Sequence, residues 1–238
     1  RASTRPRTGL FNRVLVVTVA GIFALVAIQD AIDTGAETRT ERRDFARLMT
    51  NIGKTVVSQR AVDMVHHAAD TLAGNGMIET TSAIPRIYRD VTTWENWEGS
   101  HNTLRVQVLR DIERHKHDLA YTSVLEDMIA ALPASAQPTA GRALDGIRED
   151  LTSLRGAEAR LQTLRMPRLV GRLADLFYYT AAVAEGAHQL ESTGEGSKLA
   201  AAELYRRMHL GDEPGEPDAE YLALIAQVVA APSATAVG

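Results

Sequence analysis

The chain has 238 residues, 45% hydrophobic and 24% charged, with a net charge of -4. That size supports one large core or two small ones, and the mild charge gives no broad nucleic-acid footprint. There is no cysteine, so disulfides, thiolate metal sites and cysteine nucleophiles are excluded; a cytoplasmic location is the expectation. Low Gly (17) and Pro (8) favour helices over a turn-rich β fold.

In chain order, the basic start RASTRPRTGLFNR leads into an apolar run, Val14 to Ile28. A signal peptide or membrane span fits that pattern. The run is short of the roughly 20 residues that cross a bilayer, and Asp30 and Asp33 follow at once, which favours a buried helix. Residues from about Phe11 to Thr34 predict a helix apolar almost all round, the kind that sits inside a bundle. The start at Arg1 rather than Met gives the expectation that this is the back part of something longer.

A second helix is predicted from about Glu41 to Ala73, with Phe45, Leu48, Ile52, Val56, Val65, Ala68 and Leu72 on one stripe. Gly74 and Gly76 stop it. Glu79 to Asn96, with Pro85, reads as a connecting segment. A third helix starts near Ser100, a good N-cap, and buries Leu104, Val108, Leu109 and Ile112. Leu132 to Gly141 (LPASAQPTAG) is the best domain boundary in the chain. Beyond it, Leu144, Ile147, Leu151, Leu154, Leu161 and Leu164 form a helical stripe that Glu158 interrupts. Pro167 marks the start of a further helix to about Glu191. Leu199 to Leu210 and Tyr221 to Ala230 complete the helices, separated by the linker-like GDEPGEPDA and followed by a loose tail. No period-two alternation is sustained. The fold class is all-α: a helical bundle over 1–131, a linker over 132–141 and a helical extension over 142–238.

Few residues carry chemistry by pattern alone. Glu98 sits one turn before a helix start, between Trp97 and Gly99. A helix N-terminus favours its charged form and an aromatic neighbour its neutral form, a tension that tunes a carboxylate for proton abstraction. A plain helix-start carboxylate is the alternative. The turn Ala73-Gly74-Asn75-Gly76 offers N–H groups to a phosphate, or simply stops a helix. It is neither a Rossmann fingerprint nor a P-loop. His66-His67 and His115-Lys116-His117 lack the acidic partners a metal site needs, so no metal is expected. There is no G-x-S-x-G nucleophile elbow. Arg155, Arg160, Arg165, Arg168 and Arg172 form either a solvated face or a duplex-DNA contact.

The order of these signals resembles the C-terminal helical domain of the acyl-CoA dehydrogenase family. That family shows Q-x-x-G-G-x-G-Y, then R-x-x-R-D, then Y/W-E-G-T/S. Here the three read Asp70-Thr71-Leu72-Ala73-Gly74-Asn75-Gly76-Met77, Arg86-Ile87-Tyr88-Arg89-Asp90 and Trp97-Glu98-Gly99-Ser100. The eight-residue step from Asp90 to Glu98 fits the family spacing. The resemblance covers roughly Leu10 to Arg114 and makes Val14 to Ile28 an inner bundle helix rather than a membrane span. The extension and the Glu98-to-Asn102 pattern look like the longer, alkylation-response subgroup.

The resemblance implies that Glu98 removes the pro-R α-proton of an acyl-CoA thioester while a β-hydride passes to N5 of FAD. Trp97 and Gly99 would adjoin substrate. Ser100 and Asn102 would approach FAD, and Gly74 and Gly76 would lie near the adenosine of FAD on a neighbouring subunit, implying a homo-oligomer. An electron-transfer flavoprotein or similar acceptor would take the electrons. Asp70, Ala73 and Met77 depart from the family pattern, so the resemblance assigns no cofactor contact at 70 or 77. The resemblance finds no counterpart of the family's N-terminal helical and β domains within these 238 residues, and this chain alone is not expected to complete an active site. The alternatives are a flavoprotein of the alkylation-response kind associated with DNA, and a non-catalytic helical module.

Overall fold

A computed structural model describes residues 5–210 and 218–229, with side chains from residue 16 onward. The acidic stretch 211–217 and the residues from 230 on, read above as linker and tail, lie outside the described residues. Helices α1 (Arg5–Asp33), α2 (Thr40–Thr71), α3 (Ile84–Asn96), α4 (His101–His115), α5 (His117–Ala130), α6 (Gln137–Arg155), α7 (Ala159–Thr193), α8 (Ser197–His209) and α9 (Ala219–Val229) follow one another, with a 3-10 turn at Ala73–Met77. No strand occurs among the described residues, so the all-α reading stands.

Three expectations about breaks are corrected, all through proline. Glu79 to Asn96 is not a simple connection: Ile84–Asn96 is helical, with Pro85 in its first turn. The expected linker 132–141 is helical from Gln137, again with a proline in the first turn. A first-turn proline loses nothing, because its missing N–H would have had no helical partner there. Pro167, expected to open a helix, instead lies inside α7. The real break falls at Gly156 to Glu158, where buried Gln162 donates from Nε2 to the last carbonyls of α6, at Leu154 O, 3.1 Å away. The break also resets the helical register. Leu144, Ile147, Leu151 and Leu154 are buried, whereas Leu161 and Leu164 beyond it are exposed.

The long helix α7 is the centre of the packing. It lies against α1, α2, α4, α5, α6 and α8. One buried cluster runs from Val17 through Phe45, Ile52, Ile112, Tyr121 and Ile147 to Phe177 and Tyr205, on both sides of the 131–136 turn. Phe45 stacks on Tyr121 with centroids 5.9 Å apart and meets Phe177 edge-on at 5.4 Å. The Tyr121 hydroxyl donates to Leu173 O at 2.8 Å. Arg60 of α2 pairs with Asp175 of α7, which also accepts from the Tyr205 hydroxyl of α8 at 2.6 Å.

Helix α1 departs from the prediction of a helix covered all round. Its inner face packs on α2, α7, α8 and α9. Its outer face, with Ile22, Phe23 and Val26, is exposed. Val16–Asp33 is long and apolar enough to cross a membrane by length and composition alone, and 22% of that window is buried in the fold.

Candidate functional site

Helix α3 ends at Trp97 and α4 begins after Ser100. Two residues must reverse the chain between them. Both do so with positive φ, Glu98 at 64° and Gly99 at 122°. Glycine enters this region freely, and a residue with a Cβ pays roughly 1–2 kcal/mol. Ser100 then caps α4, its hydroxyl accepting from the Thr103 N–H at 3.5 Å. The sequence thus contains the turn it needs at Gly99 and Ser100, and places a strained carboxylate between them and Trp97.

An apolar cleft of about 650 Å³ opens beside this turn. Ile22 and Leu25 of α1 form one wall, and Gly53, Val57 and Ala61 of α2 the floor. Val91 and Trp94 of α3, with Trp97 and Glu98, close the third side; Tyr178 of α7 reaches in from behind. Glu98 is exposed to solvent at this cleft. Its carboxylate pairs with no cation, and its N–H with no acceptor, among the described residues. Lys54, also in the cleft wall, is engaged elsewhere: its Nζ donates to the Trp94 carbonyl at 2.7 Å, holding the last turn of α3 against α2.

Behind the turn, a small polar cluster fixes α4 to α2. His101 Nε2 lies 3.2 Å from Ser58 Oγ and 3.5 Å from Glu95 Oε1. Both contacts use the same ring nitrogen, so this is not a nucleophile–base–acid relay, which needs both nitrogens. Burial holds the His101 pKa below its ordinary value, with Arg105 and Lys54 assisting and Glu95 opposing.

The remaining predicted residues divide by position. Gly76 is buried in the 3-10 turn, and a Cβ there would lie 2.3 Å from Ala69 O. Its glycine identity is therefore explained by packing on the end of α2. Gly74 is exposed, and a Cβ there would meet nothing within 4 Å. Ala73, where the family pattern has glycine, takes φ 50°. Ser100 and Asn102 are exposed next to Glu98. The Gly74 turn lies at the far end of α3, 13 residues long, or roughly 20 Å away. The structure thus brings Trp97, Glu98, Gly99, Ser100 and Asn102 together and leaves Gly74 and Gly76 apart.

Three of the five arginines of the series have partners within the fold. Arg155 pairs with buried Asp118, Arg172 with Asp150, and Arg165 donates to Ser153 Oγ at 3.0 Å. Among the described residues no group of three His, Asp or Glu side chains is arranged to hold a metal ion.

Residues 19–113 match the sequence model of the acyl-CoA dehydrogenase C-terminal domain. This segment belongs to that family. The chain is also 37% identical over 70 residues to AidB of Escherichia coli (strain K12), a match spanning 29% of this chain and 13% of AidB. Two solved structures share the fold at 18% identity. ACDH-11 of Caenorhabditis elegans, determined in complex with C11-CoA, superimposes with a TM-score of 0.65 over 83% of this chain and 34% of its own. Bd2924 in its apo-form gives 0.58 over 68% of this chain and 29% of its own. The chain therefore spans about a third or less of the relatives it matches. The acyl-CoA dehydrogenase domain contains the whole Glu98 turn and the α2–α3 side of the cleft; Tyr178 lies beyond the matched segment.

Three site features escaped sequence reasoning: Lys54, the His101 cluster and Tyr178. Lys54 and His101 lie on helical faces with no local motif. Tyr178 meets the cleft residue Gly53 across 125 positions of sequence (178 minus 53), and no one-dimensional signal connects them.

Proposed function

We propose that this chain supplies the base-bearing wall of an acyl-CoA thioester site in an FAD-dependent acyl-CoA dehydrogenase. The observation that carries the reading is Glu98, held at φ 64° at an apolar cleft with neither a cation on its carboxylate nor an acceptor on its N–H. Strain of this kind persists where surrounding structure enforces it, and it clusters at functional sites. The acyl-CoA complex of ACDH-11, which shares the fold, supports the choice of ligand.

In this reading the acyl chain lies along Ile22, Val57 and Trp94, out of water. Trp97 and Gly99 flank the thioester. The Glu98 carboxylate takes the α-proton, and its backbone N–H donates to the thioester carbonyl as negative charge develops there. Ser100 and Asn102 would hold the flavin edge, and FAD, when bound, would supply the hydride acceptor. Gly74, at the opposite end of α3, would serve a flavin on a second subunit, so the active form is an oligomer. An electron-transfer flavoprotein is the fitting acceptor, and the cytoplasm the fitting compartment.

The test is made on the full-length protein. Purified protein should carry the absorbance of an oxidised flavin, which acyl-CoA bleaches. Glu98→Gln should lower turnover by about 10²- to 10⁴-fold while thioester binding and flavin content remain. Full turnover in Glu98→Gln would remove the base assignment. A wild-type protein that binds thioester without flavin would be a non-catalytic helical module.

A further inference from the structure

Tyr178 is the feature that the family match does not explain. It stands in α7, outside residues 19–113. Two glycines make room for it. A Cβ on Gly21 of α1 would lie 2.1 Å from Tyr178 Cδ1, and one on Gly53 of α2 would lie 3.6 Å from the Tyr178 hydroxyl. The ring therefore threads between α1 and α2 where both lack side chains. Its hydroxyl ends beside Gly53, and both residues line the cleft. Tyr178 is 1% exposed, and its hydroxyl has no hydrogen-bond partner among the described residues. Arg60 sits over the ring face at 5.6 Å, not at the oxygen.

A buried hydroxyl without a partner costs free energy that a phenylalanine at the same place would avoid. Burial also pushes the Tyr178 pKa up to about 12, Arg60 opposing and Asp175 assisting, so the group is a neutral O–H donor at physiological pH. Most of the remaining cleft lining is apolar, and three of its other donors are engaged: Lys54 Nζ donates to Trp94 O, Thr50 Oγ1 to Ala46 O and Ser58 Oγ to Lys54 O.

We infer that Tyr178 is a ligand-binding residue: its hydroxyl donates a hydrogen bond to an oxygen carried by an otherwise apolar ligand in the α1–α2–α3 cleft. The inference rests on the thioester reading for the identity of that ligand, not for the existence of the contact. The oxygen is either the thioester carbonyl or a hydroxyl on the acyl chain. The donor comes from the helical extension, so the extension takes part in ligand recognition.

The chain carries its own reporter. Its two tryptophans, Trp94 and Trp97, both line this cleft. Tryptophan emission is followed while the chain is titrated with octanoyl-CoA, a hydroxyoctanoyl-CoA and free 1-octanol, in wild type and Tyr178→Phe. Loss of one neutral hydrogen bond should weaken binding about five- to ten-fold. Weakening of both thioesters assigns the bond to the carbonyl; weakening of the hydroxylated one alone assigns it to the chain. Tyr178-dependent binding of 1-octanol without thioester binding keeps the contact and removes the thioester reading. Equal affinities in wild type and Tyr178→Phe, or no response to any of the three probes, overturn the inference. Thermal stability of Tyr178→Phe should equal or exceed wild type, since the lost hydroxyl had no partner; a marked drop would show the hydroxyl to be structural and would also overturn it.

Discussion

Glu98 and Ala73 share an unusual backbone. Both have side chains and both adopt left-handed φ, at 64° and 50°. Ala73 occupies a glycine position of the family pattern, so its strain has a simple remedy. Ala73→Gly should stabilise the chain by roughly 0.5–1 kcal/mol, read as a higher urea midpoint with unchanged slope. Glu98→Asn should also stabilise, because asparagine tolerates this region, while turnover is lost. A destabilised Glu98→Asn would show that the carboxylate stabilises its own turn. The ordered motifs made Glu98 legible in the sequence, since identity and spacing survive in one dimension. Its φ was not legible, because the strain comes from how α3 and α4 are held.

His101 gives the residue scale a pH dependence. Its pKa in the fold is below the ordinary 6.5. Above that value both folded and unfolded forms are neutral and this group adds no slope. As pH falls below 6.5 the unfolded chain takes up the proton first, so the unfolded state binds more protons and stability falls with it. Melting temperature should therefore decline between pH 7 and 5. In His101→Asn the decline should be shallower; an unchanged decline would assign it to other groups.

At the scale of elements, hydrophobic spacing located helices better than it located their ends. Of the predicted α2 stripe, Phe45, Leu48, Ile52 and Val56 are buried as the period requires, whereas Val65 and Ala68 are half-buried and Leu72, at the end of the helix, is exposed. Prolines were the weak point, because one residue type can stop, start or sit within a helix, and the neighbours decide. Pro85 and Pro138 start helices, and Pro167 is accommodated inside one. Contacts between helices were less legible still. Gly21 reads as a neutral gap in an apolar run, yet it is where α7 meets α1. Gly21→Ala would place a methyl 2.1 Å from Tyr178 Cδ1. It should cost about 1–3 kcal/mol through displacement of the ring. Calorimetry of Gly21→Ala, with Gly74→Ala as a control at a glycine that faces open space, checks this.

At the scale of the molecule, the extension and the family domain share one buried cluster. Tyr121 bonds to Leu173, Asp118 pairs with Arg155, and Arg60 reaches Asp175. The sequence marked a composition break near residue 135, which is real as a turn between α5 and α6. Such a break shows where the chain is pliable, and it carries no information about whether the two sides share a core.

The central place of α7 has a consequence for how the molecule is made. Arg60 and its partner Asp175 are 115 residues apart, and α7 is what α1, α2, α4 and α5 pack against. During synthesis α1, α2, α4 and α5 leave the ribosome with the surface that α7 covers still open, and it stays so until residues beyond Ala159 have followed. At about 5–20 residues per second, that is an interval of several seconds in which apolar surface is open to the cell. A nascent chain stalled before α7 should be held by chaperones or degraded, and one stalled after Thr193 should resist protease.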